Sequence, residues 1–236
     1  MRPTAPLEPD LDLANTIRPG LDILADEIVI ALKKRTRFCR NASVYVPGLV
    51  SGEPDTSLLD YSLGVVERQH AALGRYTFAA QDAFTDVAKI EPVIARERPS
   101  SPVHPMPSRV GPRLIAYYQG WIENACPAGD VPSSYGETVT ADVGALLSIM
   151  ERVNLGKPVA EAKFREHEAG IRESGGDRET LLSYIVRSDR EAAVLAMAER
   201  LAERYELPAA PVRAVFDFMI AVTVDIEVEY LRRRIA

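Results

Sequence analysis

Apolar residues recur every three to four positions over long stretches of the chain, whereas strict alternation bounded by turn residues is scarce. That is the period of an α-helix with one buried face, so an all-α protein is expected. The first long helix should open with Asn15 or Thr16 as its cap, carry Pro19 in its first turn, and pass through Leu21, Leu24, Ile28 and Leu32 to about Arg37. Proline suits that turn, where the N–H groups have no partner inside the helix. A second helix follows Asp55 and Thr56, running from Ser57 towards Ala72 with Leu58, Leu59, Leu63 and Val66 on its inner face.

From Ala79 to Pro112 proline recurs, in Glu91-Pro92, Arg98-Pro99, Ser101-Pro102, His104 to Pro107 and Gly111-Pro112. Helix cannot survive that density, so a long connection is expected. Helix resumes from Arg113 to Asn124, breaks between Pro127 and Gly136, and resumes beyond Thr138 and Thr140 through Val143, Leu146, Leu147, Met150 and Val153. Gly156 and Pro158 interrupt it, a further helix runs from Val159 to about Ala169, and Gly175-Gly176 ends that unit. Three more should follow: Arg178 to Val186, Ser188 to Glu206 with Ser188 or Asp189 as cap, and Val212 to Arg234 after Pro208 and Pro211. No repeat or shift in composition divides the chain, so residues 1–236 are read as one domain, a single helical bundle.

Composition adds a constraint on the ligand. The chain is 47% hydrophobic, ample for a core, with a net charge of -6. Nothing favours a nucleic-acid or anionic-membrane partner, so any anion must bind in a local cationic pocket inside an acidic protein. No apolar run approaches the roughly 20 residues of a membrane span. The stretch from Met1 to Asp12 is proline-rich and acidic rather than basic and then apolar, so a cytoplasmic protein is expected. Cys39 and Cys126 lack metal-ligand spacing and His70, His104 and His167 are scattered, so no metal site is expected and both cysteines are read as reduced packing residues. The chain holds no GxSxG, no glycine-rich loop with a lysine, no HExxH and no paired CxxC. Catalysis would then work by positioning and electrostatics, without a cofactor.

Three spacings carry candidate chemistry. Arg152 and Lys163 are eleven residues apart, which returns them to within about 20° of one helix face if Gly156 and Pro158 do not bend it. Thr223 and Glu227 stand at i and i+4 in an apolar stripe that includes Val215, Phe216, Met219, Ile220 and Ile226. Glutamate seldom enters such a stripe without a partner. Arg187 and Glu191 are also i and i+4, with Arg190 between them, where an acid equally serves the first turn of a helix. Arg18 stands beside a helix start. Taken singly, each of these also fits a solvated face, a boundary ion pair or a cap.

The run Gly156-Lys157-Pro158-Val159-Ala160-Glu161-Ala162-Lys163-Phe164 resembles a signature of fungal and plant chorismate mutases. The tail Thr223-Val-Asp-Ile-Glu227-Val-Glu229-Tyr230-Leu231 through Arg234 is similar to the end of the fungal members. Arg37-Phe38, Ser43-Val44-Tyr45, Gly74-Arg75-Tyr76 and Tyr135-Gly136 before Asp142 fall in the family's order. The resemblance implies an all-helical bundle with a four-helix pocket, a homodimer, no cofactor, and rearrangement of chorismate to prephenate in phenylalanine and tyrosine biosynthesis. It implies that Arg18 and Arg152 bind the two carboxylates, Lys163 the ether oxygen and a carboxylate, Thr223 a carboxylate, and Glu191 the ring hydroxyl.

Glu227 would donate to the ether oxygen, which only its protonated form can do, so a raised pKa is expected. Ile220 and Arg190 would line the substrate site, and Arg187 stands where the fungal enzymes have asparagine. Arg75 and Gly136 match the family's effector region, but Glu137 replaces its serine and would oppose an amino acid's carboxylate, so ordinary feedback by tyrosine or tryptophan is not expected. The competing readings are a mutase for an amino-substituted chorismate analogue and a non-catalytic helical interaction protein.

Overall fold

The computed structural model describes residues 11–94 and 101–236. Most of the Met1 to Asp12 stretch, and the Arg98-Pro99 step, lie outside the described residues. Among these residues run eight α-helices: α1 (Arg18–Arg35), α2 (Leu58–Ala72), α3 (Gly111–Ala125), α4 (Tyr135–Asn154), α5 (Gly156–Glu173), α6 (Arg178–Ile185), α7 (Ser188–Arg204) and α8 (Ala209–Ile235). The only extended pairing among them is an isolated bridge between Pro47 and Ser57. The protein is all-α, as the periodicity requires.

Helix starts differ from the expectation, and each difference has a local cause. Neither Asn15 nor Thr16 caps the first helix. A π-helical turn, Leu13–Ile17, precedes α1, and Asp12 caps it by accepting the Ala14 and Asn15 N–H groups at 2.8 and 3.0 Å. α3, α5 and α8 each begin two or three residues early, because Pro112, Pro158 and Pro211 sit inside their first turns, where a missing N–H costs nothing. α4 starts at Tyr135 rather than beyond Thr140. Thr138 is fully buried within it and accepts Asn41 Nδ2 at 2.7 Å, tying the helix start to the loop after α1. α5 runs past Ala169 to Glu173 through a kink at His167. Neither Ser188 nor Asp189 caps α7; Arg187 holds the cap position without a side-chain bond, and Asp189 pairs with Arg187 at 3.4 Å instead.

α1 packs along α4, while α5, α6 and α7 pack on α8, so α8 is the spine of the second half. The proline-rich connection is tied down where it is described. Glu67 of α2, fully buried, accepts the Phe84 and Thr85 N–H groups at 2.8 Å each, and Val103, Met106 and Val110 are buried in the core. Cys39 and Cys126 are both free thiols, and Cys126 Sγ accepts from Arg35 Nη1 at 3.4 Å.

Candidate active site

Only Leu155 separates α4 from α5, and its backbone stays in the right-handed helical region at φ -65°, ψ -11°, with the Val159 N–H donating to the Leu155 carbonyl at 3.1 Å. Arg152, in the last turn of α4, and Lys163, two turns into α5, both line one cavity of about 180 Å³, as their eleven-residue spacing allows, and α8 and the starts of α1 and α7 complete it. That exceeds the roughly 150 Å³ that accepts a benzene ring. Gly156 sits close against α8: a Cβ there would meet Thr223 Cγ2 at 3.0 Å, so a larger residue would push the two helices apart or displace Thr223.

Arg18, Arg152, Lys163, Arg187, Arg190, Glu191, Ile220, Thr223 and Glu227 all line this cavity. Five cations and two carboxylates thus face one space in a chain of net charge -6. The walls between them are apolar, including Ile17, Leu21, Leu155, Val159, Val194 and Val224. Such walls raise the strength of every charge interaction inside.

Arg152 is 7% exposed, no ion-pair partner approaches it among the described residues, and its Nε has no hydrogen-bond acceptor. Its guanidinium lies 5.6 Å from the Phe216 ring centroid. Burial pulls its pKa down to about 10 against the pull of Asp22, which still leaves it cationic at neutral pH. A buried cation with an unmet donor on a cavity wall is a candidate partner for an anion.

Glu227 is 5% exposed and accepts Lys163 Nζ at 2.7 Å. Burial pushes its pKa up to about 7, Lys163 restrains the rise, and the neighbouring Glu191 adds to it. Lys163 also donates to the Ile185 carbonyl at 2.8 Å, at the C-terminal end of α6, where the helix dipole favours a cation. One of its three protons remains for a ligand. Thr223 Oγ1 donates to Met219 O at 2.8 Å within α8, so that bond must yield before the hydroxyl can donate elsewhere. Arg187 and Arg190 are exposed at the rim, both beside Asp189.

Sequence reasoning missed the Ile185 carbonyl, which no side chain announces, and the apolar wall contributed by Leu13, Ile17 and Leu21 before and within α1. The Leu155 and Val159 positions could have been found, since they lie about two turns and one turn before Lys163. The three effector-region residues are not brought together within the chain. Gly136 and Glu137 lie in the first turn of α4, in a groove against α1, whereas Arg75 binds Glu151 at 2.7 Å near the other end of α4. Glu137 and Glu151 are about 21 Å apart along the helix at 1.5 Å per residue.

Fold and cavity together define an all-helical protein with a cation-lined, apolar-walled cavity about the size of a small ring. Residues 135–228 match the family model for chorismate mutase type II. The chain is 30% identical to a chorismate mutase of Emericella nidulans, over 95% of this chain and 93% of that protein. It is 29% identical to one of Schizosaccharomyces pombe, over 93% and 95%. A Candida albicans chorismate mutase solved in complex with L-Trp superposes with a TM-score of 0.85 at 24% identity, covering 95% of this chain and 92% of that one, and shows the shared fold. The chain belongs to the chorismate mutase family, and it is an isomerase.

Proposed function

We propose that the whole chain, as one domain, rearranges chorismate to prephenate in the Arg152–Lys163–Glu227 cavity. The reaction is pericyclic, so the protein's task is to hold a flexible dianion in a chair-like conformation and to stabilise negative charge that grows on the ether oxygen as the C–O bond breaks. Arg152 and Arg18 each take a carboxylate, for which a guanidinium's parallel N–H pair is suited. Lys163 gives its remaining proton to the ether oxygen, protonated Glu227 donates to the same atom, and Glu191 accepts the ring hydroxyl. Thr223 turns from the Met219 carbonyl to a carboxylate. Arg187, Arg190 and Ile220 close the rim.

The observation that carries this reading is the meeting, in one cavity, of an unpartnered buried guanidinium and a buried carboxyl whose pKa is pushed up to about 7. The first needs an anion, and the second supplies a proton at neutral pH. Incubation with chorismate should yield prephenate as product, and Lys163→Met should lose most of the rate; chorismate left unconverted by the folded wild type would sink the proposal.

No helix among the described residues is long and apolar enough to cross a membrane. A cytoplasmic homodimer suits the family, and exposed apolar side chains of α2 and the turn after it, Tyr61, Val65 and Leu73, support a contact between copies. Glu137 in its groove opposes the carboxylate of an aromatic amino acid, which supports weak feedback.

A further inference from the structure

The run Gly156 to Phe164 divides between two faces of α5. Gly156, Val159 and Lys163 line the cavity. Lys157 and Glu161, one turn apart, are both fully buried, yet neither reaches it. Lysine and glutamate are rarely buried so completely, and each must be paired when it is. Lys157 Nζ donates to Asp82 Oδ2 at 2.8 Å. The Glu161 carboxylate accepts the Tyr230 hydroxyl at 2.8 Å, Arg234 Nε at 2.9 Å and Arg165 Nε at 3.0 Å.

Both anchors lead to the same strap of the proline-rich connection. Asp82 Oδ2, which holds Lys157, also accepts the Ser108 N–H at 2.9 Å, and the Asp82 carbonyl accepts Asn154 Nδ2 at 3.2 Å from the end of α4. The Tyr230 hydroxyl, which donates to Glu161, accepts the His104 N–H at 2.9 Å. Between those points Met106 is sunk in the core. The strap is therefore pinned at both ends and in the middle, and α5 is gripped from behind at two points about 6 Å apart along its axis. Two points on one side of a helix fix its rotation as well as its height.

We propose that Lys157, Glu161 and the strap from His104 to Ser108 form a positioning device that sets the rotation and register of α5, so that Lys163 meets Glu227 and the reacting oxygen. Neither Lys157 nor Glu161 touches the cavity; both act through Lys163, and the inference rests on the role assigned above to that residue. Groups facing Glu227 across the cavity are Lys163 on α5, Arg187, Arg190 and Glu191 at the start of α7, Arg18 on α1 and Arg152 on α4. Only Lys163 rides on α5. If α5 slips, Glu227 loses the pull of Lys163 and keeps its other neighbours, so its pKa rises further.

Lys157→Met and Glu161→Gln nearly conserve volume, and Tyr230→Phe removes one hydroxyl. Each is compared with the wild type for melting temperature, kcat, KM and the alkaline limb of kcat. Lys157→Met and Glu161→Gln should lower kcat roughly ten- to hundredfold, the scale of an ångström's misplacement. KM should change less, and the alkaline limb should move to higher pH. Tyr230→Phe, the variant least able to disturb folding, should show the same pattern more weakly, and Lys157→Arg should recover part of the rate. A lower melting temperature with kcat and the limb unmoved overturns the proposal, for Tyr230→Phe alone if the others do not fold. Lys163→Met separates the two claims. If it keeps wild-type kcat, the assignment of the cavity fails; if it loses kcat while the back-face variants keep theirs, only the positioning device fails.

Discussion

Two buried charge clusters lie along α4, and they differ in whether their hydrogen bonds are complete. At one, Arg35 of α1 and Asp142 are both fully buried. Asp142 accepts Arg35 Nε at 2.6 Å, Tyr45 Oη at 2.8 Å and Tyr118 Oη at 2.9 Å. Arg35 places its other nitrogens on the carbonyls of Phe38, Cys39 and Arg40 and on Tyr45 Oη. At the other, about 15 Å further along the helix, Arg152 is almost as buried with its Nε unmet, and it faces a cavity rather than a carboxylate. The residue type and the degree of burial are nearly the same. A saturated cluster has nothing left to offer a ligand and clamps α1 to α4; an unsaturated one has a donor still free, as the proposed carboxylate contact requires.

The largest effect expected from breaking this contrast falls on the saturated side. Asp142→Asn leaves Arg35 buried without a counter-charge, which costs on the order of 3–5 kcal/mol and should appear as a drop in melting temperature, while the folded fraction keeps its kcat. Loss of activity without loss of stability would reverse the assignment. On the other side, Arg152→Met should lower kcat/KM by about 10²–10³-fold, as for removal of one preorganised donor. Its melting temperature should hold or rise, because a desolvated cation without a partner is replaced by an apolar chain. A large fall in melting temperature for this variant would place Arg152 with Arg35.

A smaller effect sharpens the electrostatics of the unsaturated side. With Glu227 in the proposed role of proton donor, activity should hold below its pKa of about 7 and fall as pH rises through that value. Glu227→Gln keeps a donor at every pH and should flatten the profile, at the cost of a lower rate in acid. A wild-type profile that is flat from acid to alkaline would remove Glu227 from the donor role.

Much of this molecule is legible in the spacing of its residues, for a physical reason: a helix repeats its own angle, so one buried face can be read without knowing what buries it. The order of the helices and the odd position of Glu227 in an apolar stripe follow from that period alone. So do the surroundings of Glu191 and Thr223, although spacing alone favoured a boundary residue for the second and could not separate cap from catalyst for the first. Helix starts were less legible, because Pro112, Pro158 and Pro211 read as barriers, yet each costs nothing in a first turn.

What only the tertiary structure decided is where helices meet. Spacing put Arg152 and Lys163 on one side, and both do line one cavity; what spacing could not show is that α8 and the starts of α1 and α7 close it, with Gly156 set close against Thr223 of α8. Likewise Lys157 and Glu161 share a short run with Lys163, and only packing shows that they hold Asp82 and Tyr230 on the far side while Lys163 faces the cavity. Local sequence determines the period of each helix and the charges it carries. Crossing angles, and with them which charges are paired and which are left open, come from the contacts of distant segments.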